Sequence, residues 1–307
     1  MIVFLSGGTG TPKLLQGMKE VIDSEEIAVI VNTAEDKWLP HGYFSPDIDT
    51  VLYTLSDLID DSTWYGIKGD TFETHHMLEE LGYSEVLKIG DRDRAMHIQR
   101  GSLMREGKSL SEAIEIQRKA LGVKAGVFPM SDDRIETVIK SPEKEMDFHE
   151  FWVENRGEPD VLDVYFKGIS SAIACKGAVD AIKKSDRIII GPSNPITSIL
   201  PIISLEGIRR EIVRMSDKCI AVSPIIGNRP LSGPAGKLMR AKGFGVDSVS
   251  VAKIYRDLIR YFVIDNLENE DITREIGKLK IKCFKTNTTM NTLEDKIKIG
   301  NFLMQLS

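Results

Sequence analysis

Cysteine is scarce in this 307-residue sequence, and histidine is hardly more frequent. The three cysteines are odd in number and lie far apart, at Cys175, Cys219 and Cys283, which argues against a disulfide framework and a Cys-X-X-Cys metal site. The five histidines form no His-Glu-X-X-His pattern, and the chain has no Gly-X-Ser-X-Gly elbow. The sequence therefore argues against a zinc hydrolase and against a serine esterase.

The chain also lacks an excess of positive charge and a long apolar run. Lys and Arg number 40 against 46 Asp and Glu, a net charge of −6, so the composition favours neither nucleic-acid nor membrane-surface binding. No apolar run approaches the roughly 20 residues that span a bilayer, and the amino terminus is typical of a strand rather than of a basic leader. We therefore expect a cytoplasmic protein without nucleic-acid or membrane partners.

Apolar, strand-like runs alternate with helical segments along the chain. The runs Ile2–Leu5, Ile27–Val31, Arg187–Ile190 and Cys219–Val222 are continuous and rich in Val and Ile, as strands buried on both faces are. Helices are predicted from about Pro12, after Asp49, within Thr71–Gly122, where Ser109 and Glu112 have the spacing of a capping box, and at about Met290–Gln305. This alternation predicts a Rossmann-like, doubly wound α/β fold with a mainly parallel sheet.

The pattern changes in the middle of the chain. The segments Ile135–Ile139, Phe148–Val153 and Val161–Phe166 alternate as antiparallel strands do. We therefore predict one domain over residues 1–307, with a mixed α/β insertion at about 123–170.

A glycine-rich turn follows the first predicted strand. Gly7, Gly8, Thr9 and Gly10 lead into a helix that carries Lys13. Backbone N–H groups freed by the glycines and the positive end of the helix both favour an anion, so these residues are predicted to bind phosphate. Lys13 stands where a dinucleotide fingerprint needs its third glycine, and the spacing does not match a Walker A loop. A tight turn without a ligand is the alternative.

Two aspartates follow the second strand in the segment Ser45–Thr50. Asp47 and Asp49 lie two residues apart after a proline, so they could hold Mg²⁺ together with substrate phosphates. In the alternative interpretation, Asp47 caps a helix over Asp49–Ile59, because acidic residues favour a first helical turn.

Three further segments carry polar groups beside glycine or proline. The arginines of Lys88–Arg94 could clamp a phosphate or a carboxylate, although a solvated charge run is the alternative. In Gly191–Ile199, Ser193 and Asn194 could cap a helix or donate to a phosphate, and Pro195 presets the first turn. Similar turns are predicted at Ser223–Asn228 and Leu231–Lys237.

Taken in order, these motifs resemble the 2-phospho-L-lactate transferase family, which acts in the biosynthesis of the deazaflavin coenzyme F-420. The segments that carry the resemblance are Ser6–Gly10, Ser45–Thr50, Gly90–Asp93, Met130–Asp132, Gly191–Pro195 and Ser223–Gly227. Their joint order over about residues 2–260 is specific, although other Rossmann-like nucleotide-sugar-binding proteins share the glycine turn.

The resemblance implies a particular transfer. Lactyl-2-diphospho-5'-guanosine, or the ester of a related three-carbon acid, would donate its phosphoacid to the ribityl hydroxyl of 7,8-didemethyl-8-hydroxy-5-deazariboflavin and release GMP, with Mg²⁺ as cofactor. The glycine turn, Lys13 and the Ser193-Asn194-Pro195 loop would hold the guanosine diphosphate part.

The same resemblance implies roles for the acidic residues. Asp49, assisted by Asp47, would be catalytic and would bind the metal. The residues expected near the deazaflavin are Asp49, Lys88, Asp91, Met130 and Ser131. Since phosphoryl transfer depends mainly on positioning and charge stabilisation, the aspartates can be metal ligands. Asp49 is expected to accept a hydrogen bond from the ribityl hydroxyl of the deazariboflavin, as base or as orienter.

A different function is kept as the alternative. The glycine turn alone also favours a non-catalytic regulator that binds a nucleotide-sugar or a dinucleotide on the same fold. For the assembly, a homodimer is expected because twofold oligomers prevail among soluble proteins.

Overall fold

Fourteen strands occur in the part of the chain that the computed structural model describes, residues 1–227, 229–230 and 233–306. They are β1 (Ile2–Ser6), β2 (Ile27–Val31), β3 (Lys37–Leu39), β4 (Gly42–Phe44), β5 (Gly126–Pro129), β6 (Glu136–Lys140), β7 (Glu145–Asp147), β8 (Asp163–Lys167), β9 (Arg187–Ile190), β10 (Cys219–Val222), β11 (Ile225–Ile226), β12 (Arg229–Pro230), β13 (Tyr261–Asp265) and β14 (Lys282–Thr286).

Helices connect these strands. They are α1 (Gly10–Met18), α2 (Pro46–Leu55), α3 (Glu73–Glu80), α4 (Asp91–Arg105), α5 (Leu110–Ala120), α6 (Lys176–Lys184), α7 (Leu200–Ser204), α8 (Glu206–Arg214), α9 (Ala235–Ala241), α10 (Ser248–Tyr255), α11 (Glu270–Lys278) and α12 (Leu293–Gln305). In the described ranges, none of them is long and apolar enough to cross a membrane.

Seven parallel strands form the central sheet, in the order β14-β13-β10-β9-β1-β2-β5. Side chains of β1 enter both apolar layers, because Val3 and Leu5 pack on one face of the sheet and Ile2 and Phe4 on the other. Burial on both faces explains why the strands are continuous Val/Ile runs rather than alternating ones. The predicted doubly wound α/β fold is confirmed.

Three strands of the central sheet, β5, β13 and β14, were not predicted from the sequence. β13 is an apolar run ending in Asp265, whereas the edge strand β14 has an exposed Lys282 followed by four half-buried residues. A short, partly exposed strand at a sheet edge carries a weak apolar pattern, which explains why β14 has little signal.

An antiparallel sheet with strand order β7-β6-β8 lies in the segment for which antiparallel strands are predicted. Two details differ from the prediction. β5 lies within the span 123–170 but pairs in parallel with β2, so it belongs to the main sheet. Residues Phe148–Val153 are not a strand, because the Asp147 carboxylate accepts the Glu150 N–H at 2.8 Å and starts a π-helical turn that buries Phe151.

Helix α2 begins earlier than predicted, at Pro46, so that Asp47 and Asp49 both lie in its first turn. The predicted capping box of Ser109 and Glu112 is confirmed at the start of α5. The predicted turns around residues 223–237 include Asn228, Leu231 and Ser232, which lie outside the described residues.

Replacement of Gly10 should destabilise the fold. A Cβ at Gly10 would lie 2.0 Å from the Pro192 carbonyl oxygen, which is backbone and cannot move aside easily. We expect Gly10→Ala to lower the free energy of unfolding by about 1–3 kcal/mol, as overpacking does. The helical Gly277 is the control, since its Cβ would meet nothing within 4 Å and Gly277→Ala should be neutral or stabilising. Urea unfolding of both variants measures the difference, and equal midpoints would contradict the predicted close approach.

Candidate active site

The topological switch point of the sheet lies between β1 and β9. From β1 the chain proceeds to β2 and β5 on one side, then returns to β9 on the other side of β1. In such sheets ligands bind beyond the carboxyl ends of the strands at this point. Here the crevice is bordered by the glycine turn after β1 and by the loop after β9.

The loop after β9 lies close to the start of α1, since a Cβ at Gly10 would lie 2.0 Å from the Pro192 carbonyl oxygen. A Cβ at Gly191 would lie 2.0 Å from Thr11 Oγ1, so glycine is required for the approach. Ser193 Oγ accepts the Thr11 N–H at 3.0 Å and lies 2.7 Å from Thr11 Oγ1. Asn194 Oδ1 accepts the N–H groups of Ile196 and Thr197, which caps the π-helical turn that follows. Ser193 and Asn194 therefore hold the predicted phosphate loops in place.

Asp47 closes the glycine turn from the other side. Its carboxylate accepts the Gly8 N–H at 2.7 Å and an Asn32 Nδ2–H at 2.9 Å. Gly8 adopts φ +56°, a left-handed conformation that favours glycine and aims this N–H at Asp47. The interpretation of Asp47 as a helix cap is wrong, because the carboxylate points to the glycine turn instead of its own helix.

The surroundings of Asp47 contain neutral donors rather than cations. Burial raises the pKa of Asp47 to about 6, although the hydrogen bonds from Asn32 and Gly8 oppose the rise. Within the described chain, no Lys, Arg or His nitrogen lies within 4.0 Å of this carboxylate. Asp47 is thus a buried carboxylate without a counter-ion.

A second carboxylate near the start of α2 is in the same situation, and sequence reasoning assigned it no role. Asp36 follows β2, and its Oδ2 accepts the Ser45 hydroxyl at 2.7 Å. Its Oδ1 is buried and has no hydrogen-bond partner among the described residues. Burial raises the pKa of Asp36 well above its usual range and the charge of Asp47 adds to the rise, whereas the Ser45 hydrogen bond and the more distant charge of Arg100 oppose it. What could have indicated Asp36 in the sequence was its position shortly after β2, a strand that ends at the crevice.

Asp49, in contrast, is fully ion-paired. Both nitrogens at the end of the Arg100 guanidinium contact its carboxylate, and His97 Nε2 lies 3.2 Å from Asp49 Oδ2. The same His97 nitrogen lies 3.2 Å from Asp93 Oδ1, which also accepts the Tyr53 hydroxyl. All of these charged groups are buried.

The charges of this second cluster balance. Burial alone would raise the pKa of Asp49, but Arg100 and His97 outweigh it and hold that pKa below its usual range. Burial opposes protonation of His97, but Asp49 and Asp93 outweigh it and raise its pKa to about 9. Two carboxylates therefore face two cations, and the cluster is neutral as it stands.

The two clusters differ in how well they fit Mg²⁺. Asp49, Asp93 and His97 offer ligand atoms within 4.8 Å of one another. A metal there would have to displace the His97 proton and lie beside the Arg100 guanidinium, which opposes binding of a dication. Asp36 and Asp47 supply only oxygen ligands, which Mg²⁺ prefers, and lack a positive partner among the described residues. The residues that fit the metal are therefore Asp47 and Asp36.

The residues expected near a deazaflavin lie in different surroundings. Lys88 Nζ lies 4.4 Å from the Phe72 ring centroid, and Lys88 lines a cavity of about 270 Å³ together with Asp93. The Asp91 carboxylate instead accepts Thr71 Oγ1–H and the N–H groups of Glu73 and Thr74 at the start of α3, which holds its pKa below the usual range. Met130 is completely buried after β5, and Ser131 donates to the Ile173 carbonyl at 2.6 Å.

The predicted phosphate-binding lysine lies against α12. Lys13 Nζ is 5.3 Å from the centroid of the Trp64 ring, and Lys296 Nζ is 4.6 Å from the same centroid. Burial lowers the pKa of Lys13. Thr9 is the residue that precedes α1, and its carbonyl accepts the Lys13 N–H.

Fold and crevice together define an α/β protein of the doubly wound class, with a polar ligand site at the topological switch point. Residues 2–293 match the family model described as 2-phospho-L-lactate transferase CofD. The chain therefore belongs to the 2-phospho-L-lactate transferase CofD family.

Proteins named 2-phospho-L-lactate transferase are similar to the chain over its whole length. The one from Methanocaldococcus jannaschii is 50% identical over 309 residues, covering 99% of this chain and 97% of the relative. The one from Methanothermobacter thermautotrophicus is 51% identical over 304 residues with the same coverage. A crystal structure of a UPF0052-family protein from Bacillus halodurans is 15% identical, covers 99% of this chain and 98% of that one, and has a TM-score of 0.70, so it shares the fold.

Removal of the Arg100 guanidinium should destabilise the protein strongly. Arg100→Met leaves Asp49 buried without its main partner, and we expect the free energy of unfolding to fall by about 3–5 kcal/mol. Arg92, exposed on the same helix, is the matched control, and Arg92→Met should change stability by less than about 0.5 kcal/mol. Urea unfolding tests this difference, and similar losses in both variants would refute the role of the buried ion pair.

Proposed function

We propose that this chain transfers the 2-phospholactyl group of lactyl-2-diphospho-5'-guanosine to the ribityl hydroxyl of 7,8-didemethyl-8-hydroxy-5-deazariboflavin, with Mg²⁺ as cofactor and GMP as the leaving group. One observation carries this proposal beyond family membership. Asp47 and Asp36 are buried at the phosphate-binding edge of the sheet without a counter-ion among the described residues. Since an unpaired buried carboxylate is costly, such a pair favours a bound cation.

In this proposal Asp47 and Asp36 would hold Mg²⁺, which would neutralise negative charge on the diphosphate of the donor. The backbone of the glycine turn and the positive end of α1 attract the same diphosphate. Ser193 and Asn194 keep the opposite loop in register with α1 through the hydrogen bonds described above. Phosphate binding by Lys13 stays a prediction, since its Nζ lies 5.3 Å from the Trp64 ring centroid.

The transfer replaces one phosphorus–oxygen bond by another. The ribityl hydroxyl oxygen bonds to the phosphorus that carries lactate, while the bond from that phosphorus to the bridging oxygen breaks. The electron pair of the broken bond leaves with GMP, and the hydroxyl proton is released to solvent. The leaving phosphate is acidic enough to depart without a general acid, because its second pKa is about 6.

Asp49 has an orienting role in this proposal. Its ion pair with Arg100 and His97 keeps it ionised and makes it a weak base. The same contacts fix the first turn of α2, on which Asp47 is also located. Asp49 therefore suits the orientation of the acceptor hydroxyl and of Asp47 better than the removal of a proton.

We propose that the acceptor binds beside the segment Glu85–Gly90, which carries Lys88 and lies beside Asp93 and the Asp49 cluster.

The alternative function, a non-catalytic regulator, is supported by no separate observation in the crevice. Without a cation, Asp36 and Asp47 would repel the diphosphate of a nucleotide-sugar or a dinucleotide. The homodimer and the cytoplasmic location stay predictions.

The proposed reaction predicts a defined product. Purified protein mixed with deazariboflavin, lactyl-2-diphospho-5'-guanosine and Mg²⁺ should yield phospholactyl-deazariboflavin and GMP in equal amounts, detected by mass spectrometry. Chelation of the metal should stop the reaction, and added Mg²⁺ should restore it. Folded protein that binds nucleotide but forms no product would refute the proposal and favour the regulator.

Loss of either unpaired carboxylate should reduce both metal binding and turnover. Loss of an outer-shell partner typically costs 10–100-fold, so Asp47→Asn and Asp36→Asn, as direct ligands, should each lower kcat/KM by at least about 100-fold. Mn²⁺ binding followed by electron paramagnetic resonance reports the metal independently of activity.

Asp217, an exposed residue between α8 and β10, provides the matched control for this experiment. Asp217→Asn should bind Mn²⁺ and turn over like the wild type. Wild-type Mn²⁺ affinity in both site variants would show that Asp36 and Asp47 are not the ligands.

A further inference from the structure

The carboxylates of Asp36 and Asp47 are held by two chain segments in a reciprocal way. The segment after β2 contains Asn32 and Asp36, and the segment that leads into α2 contains Ser45 and Asp47. An Asn32 Nδ2–H donates to Asp47 Oδ2 at 2.9 Å, and the Ser45 hydroxyl donates to Asp36 Oδ2 at 2.7 Å. Each segment therefore provides one carboxylate, together with one neutral donor for the carboxylate of the other segment.

The buried Asn32 amide has one orientation that satisfies its neighbours. Its Oδ1 accepts the Ala34 N–H at 3.1 Å, and its Nδ2 also donates to the Thr197 carbonyl at 3.2 Å. A flipped amide would place its oxygen against the Asp47 carboxylate and the Thr197 carbonyl, which can only accept. Asn32 therefore donates to Asp47 and, at the same time, links it to the π-helical turn that follows the loop after β9.

Ser45 does not use its hydroxyl as a serine at this position normally does. It directly precedes α2, where a serine side chain typically accepts an N–H group of the first helical turn. The Ser45 side chain makes no such cap, and its buried hydroxyl donates to Asp36 instead. Departures from a local preference are expected at functional sites, so this contact indicates that the placement of the Asp36 carboxylate matters.

Both donors are neutral, and this determines what they do to the carboxylates. A cationic partner neutralises a carboxylate, as Arg100 does for Asp49, whereas an amide or a hydroxyl fixes its orientation and leaves its charge uncompensated. Donors of this kind orient the carboxylate ligands of metal sites from the outer shell. Their loss typically lowers metal affinity by roughly 10- to 100-fold.

We propose that Asn32 and Ser45 are positioning residues, which hold the carboxylates of Asp47 and Asp36 in place for a divalent cation. The inference rests on the proposed function, because it takes these two carboxylates as the ligands of the cation. It adds that the affinity for the cation depends on two neutral side chains behind the ligands. Asn32 and Ser45 have no part in the transfer itself.

Two variants remove the donors and keep both carboxylates. Asn32→Ala and Ser45→Ala should each weaken Mn²⁺ binding, followed by electron paramagnetic resonance, by about 10- to 100-fold. Asn155→Ala and Ser185→Ala are the matched controls, because each removes a side-chain hydrogen bond to a backbone carbonyl that involves neither carboxylate. Both controls should bind Mn²⁺ like the wild type, even where urea unfolding shows a comparable loss of stability.

The dependence of turnover on Mg²⁺ separates positioning from general damage to the site. Because the carboxylates remain in Asn32→Ala and Ser45→Ala, saturating Mg²⁺ should return their kcat to near the wild-type value. The Mg²⁺ concentration that gives half of the maximal rate should rise by the same factor as the Mn²⁺ dissociation constant. A kcat that high Mg²⁺ fails to restore in either folded variant would overturn the positioning role of the residue concerned.

The Mn²⁺ measurements also distinguish failure of this inference from failure of the proposed function. Wild-type affinity in folded Asn32→Ala and Ser45→Ala, with weakened binding in Asp47→Asn and Asp36→Asn, would overturn this inference alone. Wild-type affinity in all four variants would overturn the metal site as well. Weakened binding in all four, without any phospholactyl transfer by the wild type, would overturn only the proposed reaction. If Asn32→Ala does not fold, Ser45→Ala decides the outcome by itself.

Discussion

The buried contact between Arg100 and Asp49 is the interaction on which the geometry of the site depends. The same guanidinium also donates to Gln117 Oε1 at 3.0 Å and to the Tyr43 carbonyl at 3.2 Å. One side chain of α4 therefore links α2, α5 and the β3–β4 hairpin. Because breaking a buried ion pair leaves a charge without a partner, this contact strongly constrains where the first turn of α2 can lie.

That constraint places two kinds of carboxylate side by side. Asp49 is neutralised by Arg100 and His97, whereas Asp47, two residues earlier on the same helix, receives only neutral donors from Gly8 and Asn32. Helical geometry turns neighbouring side chains in different directions, so two aspartates at this spacing meet different partners. The paired carboxylate keeps the helix in place, and the unpaired one has no positive partner among the described residues.

Features that depend on neighbouring residues could be predicted from the sequence, whereas features that depend on contacts between distant residues could not. Strands β1, β2, β9 and β10 could be located from their apolar runs, and the capping box of Ser109 and Glu112 from four neighbouring residues. Phe148–Val153 was wrongly predicted as a strand, since one hydrogen bond from Asp147 outweighs the apolar pattern. Asp36 was overlooked because its distinguishing property, an oxygen without a partner, depends on Ser45 and on the burial of the whole segment.

The sequence by itself determined the doubly wound fold, the order of the polar loops and the resemblance to a transferase family, because these depend on local periodicity and on motifs read along the chain. Only the tertiary structure decided which carboxylate lies beside which cation. It gave Asp47 and Asp49 different partners and directed the Asp91 carboxylate to the start of α3. The physical reason is that burial and charge compensation depend on residues from distant parts of the chain, whose contacts arise only when the sheet and its helices pack together.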